Sequence, residues 1–139
     1  MLMPRKVKHR KWHKGRRRRR QTATSGTRLS YGRFGLQALS SSWVSAREIE
    51  AARRAVTREL KRGGRLWIRI FPDKPVTMKG TQSTMGSGKG AVDHYVAVVR
   101  PGMVLFELDG VEEVLARRAM RLAAYKMSVR SQFVTAVPA

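Results

Sequence analysis

Basic charge is segregated along this chain, and that segregation most constrains how the chain can fold. Residues 1–46 contain 13 of the 30 Lys and Arg residues and no acid, whereas residues 47–139 contain the other 17 together with all 9 Asp and Glu. The formal net charge of +21 adds self-repulsion to the compact state, which a bound polyanion would relieve. A nucleic acid is the expected partner, because each Lys or Arg that binds a phosphate releases condensed counterions. An anionic membrane surface is the weaker alternative.

Residues 1–25 are expected to form an extension that becomes ordered on its partner. The run KVKHRKWHKGRRRRR holds one tryptophan and almost no aliphatic side chain, so its burial cannot offset the entropy of ordering it. Trp12 favours RNA, since an aromatic ring stacks on an unpaired base. A solubilising or targeting tail is the alternative. Residues 26–139 are predicted to form one domain, because a hydrophobic content of 42% is enough for a core.

The composition argues against membrane proteins and disulfide-stabilised proteins. The sequence has no run of about 18 apolar residues that would cross a bilayer, and its amino terminus lacks the apolar stretch of a secretory signal. The chain has no cysteine, which excludes disulfides and zinc–thiolate sites and fits a reducing compartment.

Two helices are predicted in the domain. The S-x-x-E pair Ser45 and Glu48 forms a capping box that starts the first helix at Ser45, and Gly63-Gly64 ends it with a residue able to take positive φ. Ile49, Ala52, Val56 and Leu60 form its buried stripe. A second helix is predicted from about Val111 to Lys126. The apolar side of this second helix is expected to comprise Val114, Leu115, Met120, Leu122 and Ala123.

Several strands are predicted from alternation and turn residues. A short strand is expected over residues 29–34, a strictly alternating one over 65–71, and a last one over 133–137. Residues 94–99 and 103–110 flank Pro101-Gly102, a type II turn pair, and are predicted to form a β-hairpin. Residues 72–80 are expected to turn the chain, and residues 80–92, rich in Gly, Ser and Thr, to form a loop. Together these elements predict an α+β two-layer sandwich, with both helices on one face of a mostly antiparallel sheet.

The strand RLWIRIF has two distinct faces. Leu66, Ile68 and Ile70 are expected to pack on a helix. The other face places the aromatic Trp67 and Phe71 between Arg65 and Arg69, which suits base stacking and phosphate contact. A second buried face with arginines at its rim is an equal alternative.

The stretch MGSGKG, residues 85–90, first suggests a nucleotide-binding loop, but its spacing does not. A Walker A loop requires G-x-x-x-x-G-K-[ST] before a helix. Here Ser83 stands at the first glycine position and Gly90 at the Ser/Thr position, and the following AVDHYVAVV predicts a strand, so no helix amino terminus faces a phosphate. The loop is instead expected to offer backbone N–H groups and Lys89 to a nucleic-acid backbone.

No other catalytic or metal-binding pattern is convincing. His9 and His13 are spaced i, i+4 but lie in cationic surroundings without an acid or cysteine nearby. Asp73 and Asp93 are a formal Mg²⁺ pair, although a turn role better explains Asp73 between prolines. No catalytic residue, metal or cofactor is therefore expected.

The sequence resembles the bacterial and organellar large-subunit ribosomal protein sixteen family, related to archaeal and eukaryotic protein ten-e, over essentially its whole length. The WIRIFPDKP block and the MGSGKG loop are specific together. The matching segments, in chain order, are MLMPRKVKHRKWHKGR, YGRFGLQAL, REIEAARRAVTR, RLWIRIFPDKPVT, MGSGKG, VAVVRPG and LFELDGV.

The resemblance implies an α+β sandwich bound to large-subunit rRNA near the central protuberance, beside the aminoacyl-tRNA site, that joins late in subunit assembly. It implies partners that include A-site and P-site tRNA and neighbouring ribosomal proteins, with no membrane and no homo-oligomer, in the bacterial cytoplasm or an organelle. The loop, residues 76–92, is implied to point toward the peptidyl-transferase region and tRNA. Its residues expected there are Lys79, Thr84, Met85, Gly86, Ser87, Gly88, Lys89 and Gly90. From the resemblance and the charge pattern together, the residues expected to bind rRNA are Lys6, Lys8, Arg10, Lys11, Trp12, Lys14, Arg16, Arg17, Arg18, Arg19, Arg20, Arg65, Arg69 and Lys74.

Two positions depart from the family pattern. Family members commonly carry an arginine directly before the Met-Gly of the loop, and some bacteria hydroxylate it, whereas this chain has Thr84. The arginine run 16–20 is also longer than usual, and extra rRNA contacts are expected from it. The leading interpretation is a structural, non-catalytic rRNA-binding protein. The alternatives are a phosphate-processing enzyme that uses the glycine loop and a generic nucleic-acid-compacting protein.

Overall fold

Seven strands and two helices follow one another within residues 1–15, 21–82 and 85–136, the part of the chain that the computed structural model describes. The predicted α+β class is confirmed. The elements are β1 (Phe34–Ala38), β2 (Ser42–Ser45), α1 (Ala46–Leu60), β3 (Arg65–Ile68), β4 (Lys74–Met78), β5 (Ala91–Val99), β6 (Val104–Asp109), α2 (Glu113–Ala124) and β7 (Ser131–Thr135).

The strands form two antiparallel sheets rather than the single sheet predicted. One has the order β3-β6-β1-β7 and the other the order β2-β5-β4. The helices pack against each other and against these sheets, and Phe106, Leu105, Leu108, Ile49 and Met120 lie fully buried in the core between them. The last strand, predicted over 133–137, is β7, and Val137 lies outside the described residues.

The predicted hairpin of β5 and β6 is wrong, although its turn is present. The N–H of Met103 donates to the carbonyl of Arg100 at 3.2 Å, and Gly102 has φ +98°. The turn hydrogen-bonds to the end of β1 and does not lead into pairing of β5 with β6. Gly102 N–H donates to Ala38 O and Ala38 N–H donates to Met103 O, both at 2.8 Å. β6 is therefore central in its sheet, with all its residues from Val104 to Leu108 buried, while β5 is central in the other sheet.

Helix α1 begins as predicted and ends differently. Ser45 accepts from the N–H of Glu48 at 3.2 Å, and the Glu48 carboxylate accepts from the N–H of Ser45 at 2.8 Å. The capping box is therefore complete. At the other end the left-handed residues directly after Leu60 are Lys61 and Arg62, with φ +50° and +68°, rather than glycine.

Residues 29–33 do not form the predicted strand, because their backbone bonds to a side chain. The carboxylate of Glu107 accepts from the N–H groups of Ser30 at 2.6 Å and Tyr31 at 3.1 Å. Gly32 lies against β6 so closely that an added Cβ would meet Leu108 O at 2.6 Å. The segment therefore lies against β6 without joining the sheet, and β1 begins only at Phe34.

The segment predicted to turn at residues 72–80 contains β4. Its Pro75 is tolerated because β4 is the edge strand of its sheet, where a missing N–H breaks no required bond. Since β4 continues to Met78 and β5 starts at Ala91, the loop comprises residues 79–90 and not 76–92.

Helix α2 is shorter than predicted, and its buried face is displaced. Val114, expected on the apolar side, is 70% exposed, whereas Leu115 and Leu122 are half-buried. Small residues allow α2 to approach its neighbours closely. The buried residues of α2 are Ala116, Ala119, Met120 and Ala123.

Candidate nucleic-acid interface

The amino-terminal extension lies against the body of the protein at several points. Leu2 packs against the core. Farther along, Ala23 N–H donates to Pro101 O at 2.9 Å, and Gly26 O accepts from Val104 N–H at 2.8 Å. Residues 23–26 are therefore attached to the turn before β6. They include residues of both the predicted extension, 1–25, and the predicted domain, 26–139. Ordering of the rest on a partner stays a prediction.

Lys74 attaches the middle of the extension to the sheet. It lies on β4 and is only 5% exposed, and its Nζ donates to His13 O at 2.9 Å. The same ammonium lies 5.7 Å from the ring centroid of Trp12 and 5.0 Å from that of Trp43 on β2. A desolvated cation over an aromatic ring is a favourable contact. Lys74, predicted as an rRNA ligand, thus holds Trp12 in place.

The extension and the loop are joined by reciprocal hydrogen bonds. Lys11 Nζ donates to Lys89 O at 3.0 Å, and Lys89 Nζ donates to Trp12 O. We call this pair of bonds the clasp. It brings together two groups of residues that the sequence assigned to separate partners, rRNA for the extension and tRNA for the loop.

An open cleft lies at the clasp. Among the residues that line it there is no carboxylate, so its potential is positive throughout. Trp12 remains 38% exposed and Lys89 is exposed. The two histidines considered as a metal pair contribute to this cleft instead. Its lining residues are His9, Lys11, Trp12, His13, Lys74 and Lys89.

The tip of the loop is an exposed segment of left-handed backbone. Gly86 and Gly88 have φ +102° and +99°, and an added Cβ would meet nothing within 4 Å at either. Conformation rather than space therefore requires glycine there. Met85 is 95% exposed, and Lys79 Nζ donates to Gly86 O across the loop. The loop leads into strand β5, as predicted, so no helix amino terminus faces it.

The predicted aromatic and arginine face of β3 is partly used inside the protein. Trp67 stacks on Tyr31 with ring centroids 5.9 Å apart. Arg69 lies 5.3 Å from the Tyr31 ring centroid and forms an ion pair with Glu107 at 2.7 Å. Arg65 lies 5.8 Å from the Trp67 ring centroid and is exposed. Of the two arginines, Arg65 is therefore the one positioned to contact a partner.

Glu107 is the buried acid of this face, with no exposed surface. Burial acts to raise the pKa of its carboxyl. The hydrogen bond from Arg69 and those from the N–H groups of Tyr31 and Ser30 outweigh burial, so the pKa lies below its ordinary value. The carboxylate is thus charged at neutral pH and orders residues 30–31 and Arg69 together. Sequence analysis did not identify Glu107, because only its tertiary contacts distinguish it from a surface acid.

The other predicted rRNA ligands with a described position are exposed on the extension. They are accessible to a partner without rearrangement of the body. Arg16 to Arg20 and Thr84 lie outside the described residues. The exposed residues are Lys6, Lys8, Arg10 and Lys14.

Neither a metal centre nor a transmembrane helix is found in the part of the chain that the structure describes. Within residues 1–15, 21–82 and 85–136, no group of three or more His, Cys, Asp or Glu residues is placed to hold a metal ion. Neither described helix is both long and apolar enough to cross a membrane.

Comparison with known proteins gives one consistent family. The family model described as ribosomal protein L16p/L10e matches residues 4–134. The chain is 55% identical over 137 residues to the large ribosomal subunit protein uL16c of Physcomitrium patens, covering 99% of this chain and 98% of that protein. It is 54% identical over 134 residues to the large ribosomal subunit protein uL16 of Trichodesmium erythraeum (strain IMS101), covering 96% of each. The chain therefore belongs to the ribosomal protein L16p/L10e family.

Proposed function

We propose that the protein is a structural, non-catalytic component of the large ribosomal subunit, in a bacterium or an organelle, and that it binds large-subunit rRNA. The observation that carries this proposal is the family match over residues 4–134, with relatives that are each named large ribosomal subunit proteins. The net charge of +21 and the acid-free cleft support it, since both favour a polyanion.

The rRNA is bound mainly through its phosphates. The exposed cations Lys6, Lys8, Arg10 and Lys14 are spread along the extension, and Arg65 is exposed beside Trp67. Separate cations on an extended segment match a phosphate backbone by charge and shape and do not read a base sequence. The arginine run 16–20 adds further positive charge to the extension. Neighbouring ribosomal proteins are further partners.

The loop, residues 79–90, contacts tRNA near the peptidyl-transferase region and helps to organise the aminoacyl-tRNA site. Its support is the exposed tip at Met85 and the open space beside Gly86 and Gly88. Backbone without side chains can approach a nucleic acid closely. The described residues of the loop, 79–82 and 85–90, include none placed for chemistry, which supports a role in packing against RNA.

Gradient fractionation of cells that express tagged protein tests the rRNA assignment. We expect the protein to sediment with large subunits and to stay there after nuclease digestion of DNA. Sedimentation with chromosomal DNA would instead favour a nucleic-acid-compacting protein. Release from large subunits by salt should follow the number of phosphate contacts.

Shortening the loop tests the tRNA assignment. Met78 and Ala91 already face each other across β4 and β5, so a two-residue Asn-Gly turn can replace residues 79–90 without changing the register. We expect the isolated protein to keep its stability and ribosomes that carry it to bind A-site tRNA less well.

Because this deletion also removes Lys89 from the clasp, Lys89→Ala with an intact tip is the matched control. Normal binding of A-site tRNA by ribosomes with the shortened loop contradicts the tRNA role. Equal defects in the two variants would assign the effect to the clasp rather than to the tip.

A further inference from the structure

We propose that the cleft at the clasp is one composite site for a single unpaired nucleotide of RNA, with the phosphate at Lys11 and Lys89 and the base on Trp12. This inference rests on the proposed rRNA-binding function and specifies one subsite within it. The extension and the loop each supply part of the site. Neither segment completes it alone.

The phosphate position follows from the two lysine ammonium groups. Lys11 Nζ lies 3.0 Å from Lys89 O, and Lys89 Nζ bonds to Trp12 O. Lys11 directly precedes Trp12 in the chain, and the Lys89 ammonium bonds to the Trp12 carbonyl. Both cations are therefore held next to Trp12. Each ammonium has three N–H donors and uses one in the clasp, which leaves donors for phosphate oxygens. Among the ion pairs formed by the described residues, none includes either lysine.

The base position follows from Trp12. Trp12 is 38% exposed although its ring is anchored, with Lys74 Nζ 5.7 Å from the ring centroid and Lys74 itself almost fully buried. A ring held by a buried cation keeps one orientation, so less entropy is lost when a base stacks on it. Stacking on an aromatic side chain tolerates any base, which suits a site without side chains arranged to read base edges.

The cleft favours a single strand over a duplex. In an A-form helix the bases are stacked on each other, and a tryptophan face can reach a base only where the strand is unpaired and splayed. Because Trp12 belongs to the extension and Lys89 to the loop, one bound nucleotide holds the two segments together. The position of the loop then depends on what the extension binds.

Tryptophan fluorescence of the full-length protein tests the site. The chain has three tryptophans, and Trp43→Phe with Trp67→Phe leaves Trp12 as the only tryptophan, excited selectively over tyrosine, while keeping an aromatic ring at both other positions. The probes are an oligoadenylate hexamer, an abasic hexamer with the same phosphates, and hexaglutamate, all titrated at one fixed salt concentration. Circular dichroism checks that each variant is folded.

We expect the oligoadenylate to quench Trp12 and to bind more tightly than the abasic hexamer. In the wild-type protein, Trp12→Ala should weaken oligoadenylate binding by about fivefold to a hundredfold, the range of one stacked base, and should leave abasic binding unchanged. Lys11→Ala and Lys89→Ala should each reduce the number of counterions released on oligoadenylate binding, read from the slope of log affinity against log salt concentration, by about one. Lys126→Ala, an exposed cation beyond the end of α2, is the matched charge control and should keep the quenching of Trp12.

Equal binding of the two hexamers, together with unchanged affinity in Trp12→Ala, overturns the proposal. Quenching by hexaglutamate as strong as by RNA would assign the cleft to an acidic peptide and also overturns it. If either result is found while the protein still sediments with large subunits, the composite site fails and the proposed ribosomal function stands.

Discussion

Replacement of Glu107 by glutamine should destabilise the protein more than its small change in shape suggests. One carboxylate oxygen accepts from the N–H groups of Ser30 and Tyr31, and the other accepts from Arg69 at 2.7 Å. Every partner is a donor. A glutamine amide has one acceptor oxygen and one NH₂ donor, so either orientation of the amide places a donor against a donor.

The magnitude follows from burial. Glu107 has no exposed surface and the Arg69 side chain is 20% exposed. Removing one partner of a buried, hydrogen-bonded ion pair costs about 3–5 kcal/mol because the other charge stays buried without compensation. Since glutamine keeps part of the hydrogen bonding and Arg69 retains some access to water, the lower end applies, about 3 kcal/mol. For a chain of this size that loss lowers the melting temperature by roughly 10 °C.

Urea denaturation followed by circular dichroism measures the effect, with Glu113→Gln as the matched control. Glu113 pairs with Arg117 at 2.8 Å on the exposed face of α2, where an i, i+4 pair contributes at most about 0.5 kcal/mol. A free energy of unfolding for Glu107→Gln that equals that of Glu113→Gln would refute the reasoning. It would mean that residues 30–31 do not depend on the buried carboxylate for their position.

Two further predictions follow from the same contacts. The folded-state pKa values of Glu48 and Glu107 lie below 4.5, so their stabilisation is complete above pH 4.5 and is lost as the pH falls through the lower folded-state values. As the pH is lowered below 4.5, the urea midpoint of the wild type should therefore fall, and that of Glu107→Gln should fall less steeply. Equal dependence of the two midpoints on pH would contradict this. Gly32→Ala should cost about 2 kcal/mol, because the new Cβ would lie 2.6 Å from Leu108 O, a backbone atom of a central strand. An unchanged melting temperature would show that the backbone around Gly32 shifts to accommodate the new Cβ at little cost.

Local chemistry explains the elements that the sequence predicted well. Helix α1 has a complete capping box and an apolar stripe at helical spacing, and both signals lie within a few residues of each other. Its start and its four buried residues, Ile49, Ala52, Val56 and Leu60, are confirmed. The alternation of Leu66, Ile68 and Ile70 likewise predicted the inward face of β3 and its continuation. The Pro101-Gly102 turn was also predicted from its two residues alone.

The errors share one physical origin, which is pairing between residues distant in the chain. A turn pair predicts a reversal of the chain but not which strand lies alongside, so β5 and β6 were predicted to pair although they belong to different sheets. Residues 29–33 alternate like a strand, yet the Glu107 carboxylate, 77 residues beyond Ser30 in sequence, accepts from the N–H groups of Ser30 and Tyr31. The pairing of Arg69 with Glu107 was missed for the same reason, while the role of Arg69 as an rRNA ligand stays a prediction.

The sequence by itself determined the class of partner, because charge does not depend on folding. A net charge of +21 with no acid before Glu48 predicts a polyanion whatever the topology, and the spacing around Gly88-Lys89 does not match that of a Walker A loop. Only the tertiary structure decided which cations act together. It places Lys11 and Trp12 of the extension beside Lys89 of the loop, because Lys74 on β4 bonds to His13 of the extension and the loop directly follows β4.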